Sequence, residues 1–424
     1  MKVLVVGSGG REHALVWRLR QCEGVERVYA VPGNPGMALD GSCIPAEMSS
    51  PPEIASLADT LNVDLTVVGP EAPLVAGLAD EFSARKMLLV GPESYGAQLE
   101  GSKIFAKQFM SRHGIPTADF AEVTTVADLE KQLNRFGFPV ALKADGLAAG
   151  KGVVLAKDQA EALKAGRKML AGDLVGAAGR RLVIEQFLAG EEVSFIVLSD
   201  GQKYFSFAPT QDHKAVFNND TGPNTGGMGA YCTDGILAGG VRETVLAQVV
   251  DPTLGALRES GHPFCGFLYF GLMMTASGPK VLEFNVRMGD PETQPLMCRL
   301  TGNLAQLLES AARGPIDPSL VGWKPGATAC VVLASKGYPG SYPKGLPISG
   351  IEQAEETGAK VFQAGTLLHG GKLVTAGGRV LGVTAGGDTL RAALDNAYRA
   401  VEQIHFEGMH FRRDIGQKGL RKNL

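Results

Sequence analysis

Two stretches of this chain place chemically capable residues at telling spacings. In Lys143-Ala-Asp-Gly-Leu-Ala-Ala-Gly-Lys-Gly-Val153, Lys143 and Lys151 stand at the ends of a glycine-rich loop that follows an apolar run at 140–142. Gly146, Gly150 and Gly152 let the backbone aim successive N–H groups into one concavity, to which the lysines add full positive charge. A nucleoside triphosphate suits such a clamp. It is not a P-loop, because Gly146 and Gly150 are separated by three residues and Lys151 precedes Gly152. A surface turn with solvated lysines is the plain alternative. In Glu283-Phe-Asn285 a carboxylate and an amide oxygen lie two residues apart on an expected strand, hence on one face. That is the outline of a Mg²⁺ site completed by nucleotide phosphates. An ordinary solvent face would look similar, but Phe284 and Val286 are expected to face the core, and the charged run 287–294 follows at once.

Two further features point the same way. Lys103 falls in the first turn of a helix expected over 100–113, an unfavourable place for a cation, so it is either waiting for an anion or simply solvated. Asp212, His213 and Lys214 lie in a stretch, 209–231, expected to be one long loop. Loops of that length inside a compact domain are usually functional or disordered.

The elements that must hold these residues divide into three units. Over 1–101, apolar runs at 3–6, 27–31, 65–68 and 87–90 alternate with amphipathic stretches such as 12–20, which predicts a parallel sheet with helices on both faces. Ligands sit at the carboxyl ends of such strands, where the loops 7–13, 32–36 and 69–73 are expected to converge on one crevice. Glu12 breaks a dinucleotide fingerprint, and no acid ends the second strand. Arg11 and the N–H groups of the helix start suit a single phosphate, although Gly7 and Gly9 could serve only a tight turn.

Over 102–325 a small α+β lid is expected at 117–190, with strands at 118–123 and 181–188, strands flanking the clamp, and helices at 126–135 and 159–170. A hairpin at 192–198 and 203–208, a helix at 236–259 and strands at 264–275 and 280–285 follow. The third unit, 326–424, has strands at 327–334 and 379–385, a helix at 389–404, a turn at Gly337-Tyr-Pro-Gly340 and no convincing catalytic cluster.

The 424 residues are too many for a single core, and 45% hydrophobic with 20% charged residues is a globular composition. With 41 basic and 44 acidic residues the net charge of −3 leaves no footprint for nucleic acid. No apolar run is long enough for a signal peptide core or a membrane span, so a cytoplasmic protein is expected. The six cysteines form no C-x-x-C pair and read as buried thiols.

Six runs together resemble the glycinamide ribonucleotide synthetase family of the ATP-grasp superfamily, from end to end of the chain. They are Gly7-Ser-Gly-Gly-Arg-Glu-His-Ala14, Val68-Gly-Pro-Glu-Ala-Pro-Leu74, the clamp at 143–152, Gln211-Asp-His-Lys214, Thr221-Gly-Pro-Asn-Thr-Gly-Gly-Met-Gly-Ala-Tyr231, and Glu283-Phe-Asn-Val-Arg-Met-Gly-Asp-Pro-Glu-Thr-Gln-Pro295. The resemblance implies an N-terminal pre-ATP-grasp α/β domain, an ATP-grasp domain with a mobile lid, and a small C-terminal α+β domain. It implies ligation of glycine to 5-phosphoribosylamine with ATP, through glycyl phosphate, in a protein expected to be monomeric and to bind neither nucleic acid nor membrane.

By position, the resemblance puts Lys103 and Lys143 on ATP phosphates, and 146–152, with Gly146, Gly150, Lys151 and Gly152, over them. Glu185 and Leu188 would frame the adenine and Glu192 the ribose. Glu283 and Asn285 would bind Mg²⁺ or Mn²⁺. Gly9, Gly10, Arg11, Glu12, Asn34 and Glu71 would line the phosphoribosylamine site, with Asp212 on the glycine ammonium and Arg287 on its carboxylate. Three other readings stand beside this one: another carboxylase or amide-forming ligase on the same fold, a dinucleotide-dependent oxidoreductase, and a nucleotide-binding regulator without turnover.

Overall fold

The computed structural model describes residues 1–46, 50–147, 152–173, 176 and 180–422. Near the N-terminus, Lys2–Gly7 is the middle strand of a five-stranded sheet in the order Ser42–Cys43, Arg27–Pro32, Lys2–Gly7, Leu65–Val68, Leu89–Val90. All its pairings are parallel, as the alternation of strands and helices requires. Val3, Leu4 and Val5 are fully buried because helices cover both faces. The helix Gly10–Arg20 buries Leu15, Val16 and Leu19 against one of them.

A four-stranded sheet, ordered Phe120–Val123, Leu182–Gln186, Val140–Ala144, Val153–Ala156, carries the helices Val126–Leu133 and Gln159–Leu170. Leu129, Leu142, Met169 and Ile184 form a core belonging to this unit alone. It is the expected lid in architecture. The expected helix at 100–113 is two helices, Ser94–Gly101 and Lys103–Arg112, broken at Ser102, whose hydroxyl caps the second by accepting from Phe105 N.

The main sheet has nine strands, eight of them in the order Gly278–Asn285, Cys265–Thr275, Glu191–Asp200, Thr210–Asp212, Gly229–Cys232, Ala327–Ala334, Arg379–Gly387, Lys360–Gln363. Strands of the third unit therefore continue the sheet that carries Glu283 and Asn285. Two expectations fail here. The stretch 209–231 is built from four short strands, Thr210–Asp212, Ala215–Phe217, Thr221–Asn224 and Gly229–Cys232, because its backbone groups pair with the main sheet and with each other. The helix expected over 236–259 starts at Val241, after Gly239 and Gly240 adopt φ of +66° and +84°. It then passes through a π-helical turn, Leu246–Val250, before Asp251–Glu259. The six cysteines are free thiols.

Candidate active site

The clamp is anchored by an acid the loop itself supplies. Asp145 Oδ1 accepts from Ser102 Oγ at 2.8 Å and from Ile104 N at 3.1 Å, so a carboxylate sits at the positive end of the helix that begins with Lys103. This offsets the awkward placement of Lys103, whose Nζ donates to Gly146 O at 3.1 Å. Gly146 has φ +123°, which only glycine adopts readily. Burial pulls the Lys103 ammonium below its ordinary pKa, against the pull of Glu283. Gly152 closes the loop base by accepting from Ala144 N at 2.8 Å. Gly150 and Lys151 lie outside the described residues.

Lys143 joins the clamp to the main sheet. Its Nζ donates to Leu282 O and pairs with Glu185 Oε1, both at 2.9 Å. The other oxygen of Glu185 takes Lys107 at 2.9 Å. Burial pushes the Glu185 carboxyl up, but Lys143 and Lys107 outweigh it and keep it ionised. Both oxygens of the group expected to meet the adenine are therefore already engaged. Leu188 is buried close by in sequence. Glu192 is likewise engaged, by Lys214, which also lies 3.2 Å from Glu283 Oε1. Burial works against the Lys214 ammonium, yet Glu192 and Glu283 hold it well above the ordinary lysine value. In turn Lys214, then Lys143 and Lys103, hold Glu283 down to about 2.

Asn285 Oδ1 accepts from Arg287 Nη2 at 2.9 Å, and Phe284 and Val286 are buried on the opposite face, as alternation demands. Arg287 also meets Glu71 at 3.3 Å and Glu100 at 2.7 Å. Asp212 lies elsewhere in this acid network: burial and then the charge of Glu292 push its carboxyl well above the ordinary value. Its Oδ1 accepts from His213 N at 2.6 Å. His213 itself is structural, with Nε2 accepting from Gly416 N and Nδ1 bonded to Gly229 O.

The three N-terminal loops do converge. Asn34 donates to Ser8 O and to Gln363 O, and a side chain at Gly69 would collide with the Glu12 carboxylate. The helix start expected to seat a phosphate is capped from within, however. Gly9 N donates to Glu12 Oε2 at 2.6 Å, while Arg11 pairs with Glu12 at 2.5 Å and donates to Met288 O at 3.1 Å. Gly10 faces Gln294, close to Asp290.

Family profiles cover nearly all of this framework. The N domain of phosphoribosylglycinamide synthetase matches residues 1–100, its ATP-grasp (A) domain 101–293 and its C domain 328–418. The chain belongs to the phosphoribosylglycinamide synthetase family. A protein of Vibrio cholerae named phosphoribosylamine–glycine ligase is 47% identical, over 99% of each chain. One of the same name from Pseudomonas aeruginosa is 49% identical, over 99% of this chain and 98% of that one. The crystal structure of the Thermotoga maritima phosphoribosylamine–glycine ligase superposes with a TM-score of 0.85 at 34% identity, covering 98% of this chain and 100% of that one. A biotin carboxylase domain from Hydrogenobacter thermophilus, solved with MgADP, has a TM-score of 0.73 at 16% identity, covers 97% and 91%, and shares the fold.

ATP-grasp enzymes of this kind use ATP with a divalent metal. The donors present here fit such an ion. Among the described residues no group of three or more His, Cys, Asp or Glu could hold a metal. Glu283 and Asn285 offer a carboxylate and an amide oxygen, donors of the hard kind that such an ion takes. Reasoning from sequence missed several members of the site. Lys107 and Glu100 gave no local signal, and Glu292 was visible only within the charged run after Asn285. Arg379, from the unit credited with no cluster, donates to Gly226 O at 2.6 Å and pairs with Asp290 at 2.9 Å. Among the described residues no helix is long and apolar enough to cross a membrane.

Proposed function

We propose that this chain joins glycine to 5-phosphoribosylamine at the expense of ATP, yielding glycinamide ribonucleotide, ADP and phosphate through a glycyl phosphate, in de novo purine biosynthesis. The observation that carries the reading is the single strand Gly278–Asn285, whose Leu282 carbonyl holds Lys143 and whose Glu283 and Asn285 face Lys214 and Arg287. Cations and oxygen ligands thus meet where the clamp reaches the main sheet. Phosphoryl transfer demands little covalent chemistry from a protein; it needs positioning and neutralisation of γ-phosphoryl charge.

In this reading Lys103, Lys143 and Lys151 neutralise the β- and γ-phosphoryl oxygens, and Gly146, Gly150 and Gly152 lay backbone N–H groups over them. Glu283 and Asn285 hold Mg²⁺ or Mn²⁺, which supplies Lewis-acid charge neutralisation. The adenine amine shares Glu185 with Lys107 beside Leu188, and the ribose shares Glu192 with Lys214. Asp212 takes the glycine ammonium and Arg287 the glycine carboxylate. Gly9, Gly10, Arg11, Glu12, Asn34 and Glu71 line the phosphoribosylamine site. With Arg11 and Gly9 already committed, hydroxyl and amine groups suit the Glu12 and Glu71 side of that crevice better than a phosphate does. Lid closure keeps water from the acyl phosphate.

We further assign residues 1–101 to the substrate domain, 102–325 to the ATP-grasp domain with its lid at about 117–190, and 326–424 to the C-terminal domain of a cytoplasmic monomer. A coupled ADP assay with glycine and freshly made phosphoribosylamine, each omitted in turn, tests the activity. ADP should form at the full rate only with both present; full-rate ADP without glycine would defeat the reading.

A further inference from the structure

Glu100 is the last acid of the helix Ser94–Gly101, has no substrate group assigned to it, and is 8% exposed in its side chain; its link to the substrate site runs through Arg287. Both oxygens are spent on the strand end that carries Asn285. Oε1 accepts from Arg287 Nη2 and Oε2 from Val286 N, each at 2.7 Å. The same Nη2 donates to Asn285 Oδ1 at 2.9 Å. Three residues further along, Lys103 reaches Gly146 O at 3.1 Å in the clamp. One short joint, 100–103, therefore grips both arms of the nucleotide site.

The electrostatics make this grip necessary. A guanidinium beside the amide oxygen that is to meet a divalent cation would repel that cation at close range unless its charge is compensated. Glu100, at 2.7 Å, and Glu71, at 3.3 Å, supply the compensation. Glu71 is the more distant and the more exposed of the two, with 26% of its side chain accessible. Burial raises the Glu100 carboxyl to about 7 against the pull of Arg287, so its compensating charge is complete only well above that pH.

We propose that Glu100 is a positioning residue for the ligase reaction: by holding and neutralising Arg287 it keeps the Asn285 amide oxygen available to a divalent cation, in register with Lys103. The proposal rests on the assignment of Glu283 and Asn285 as cation ligands. It differs from a purely structural role, in which accepting from Val286 N would be enough.

The experiment is a titration of Mn²⁺ into the full chain saturated with a non-hydrolysable ATP analogue, at a pH well above the value of about 7 at which Glu100 titrates, read by electron paramagnetic resonance, alongside the thermal midpoint. Glu100→Gln keeps an acceptor for Val286 N but removes the charge. It should weaken Mn²⁺ binding by about 10- to 100-fold, the usual cost of losing a group that orients a ligand, with little change in midpoint. Glu100→Asp, which keeps the charge, should recover part of the loss and serves if Glu100→Gln folds poorly. Glu283→Ala is the control. If it abolishes Mn²⁺ binding while Glu100→Gln and Glu100→Asp bind as the parent does, the positioning role is wrong and the cation assignment stands. If Glu283→Ala itself binds as the parent does, the cation assignment falls and takes the proposal with it.

Discussion

His213 shows how a residue can sit inside a functional motif and serve the fold. Its Nε2 accepts from Gly416 N at 3.2 Å and its Nδ1 lies 3.1 Å from Gly229 O, so the neutral ring with a proton on Nδ1 satisfies both. Burial, then Arg412 and Lys418, lowers its pKa from 6.5 to about 4. Above 6.5 the ring is neutral whether folded or unfolded. As pH falls from 6.5 towards 4 the unfolded chain takes up a proton that the folded chain refuses, and stability is lost across that window. The loss attributable to His213 approaches about 3 kcal/mol. Denaturant unfolding of the parent and of His213→Asn, at neutral pH and at pH about 4.5, measures it. The parent should lose more than the variant; equal losses would show that His213 does not titrate as described. Such roles are hard to read from a chain. The Asp212-His-Lys214 run was visible as a cluster, but Gly416, its partner in the fold, lies 203 residues away. Glu100 and Arg287, 187 residues apart, pose the same difficulty.

At the scale of elements, what was legible followed local rules. The N-terminal strands, the lid helices and the alternation that sends Phe284 inward while Glu283 and Asn285 face the site could all be read from periodicity. The strands within 209–231 could not, since three-residue strands such as Thr210–Asp212 exist only because the main sheet offers them partners. The break at Ser102 was hard to read because, although Ser102 is its own N-cap, the acid that backs it, Asp145, comes from the clamp. The lid's separate core leads to a local prediction. Leu129 is fully buried among Leu142, Met169 and Ile184, so Leu129→Ala should cost about 2–5 kcal/mol. Hydrogen exchange should then accelerate in Phe120–Val123 and Leu182–Gln186 and stay slow in Lys2–Gly7. Acceleration spread evenly through both sheets would mean that the lid does not open as a unit.

For the whole molecule, the main lesson is that the third unit belongs to the site's scaffold. Its strands extend the main sheet, Gln363 N donates to His13 Nδ1 at 2.8 Å, and Arg379 ties Asp290 to Gly226. Composition alone marked that unit as separate, and nothing local announced these contacts. In the proposed reaction the glycine carboxylate attacks the γ-phosphoryl group and no adenylate forms. Isotope transfer tests this directly. With glycine labelled by ¹⁸O in its carboxylate, one labelled oxygen should appear in the phosphate released for each glycinamide ribonucleotide formed, together with ADP. Phosphate free of label, or label recovered in AMP, would contradict both the acyl phosphate and the phosphate-clamp account of residues 143–153.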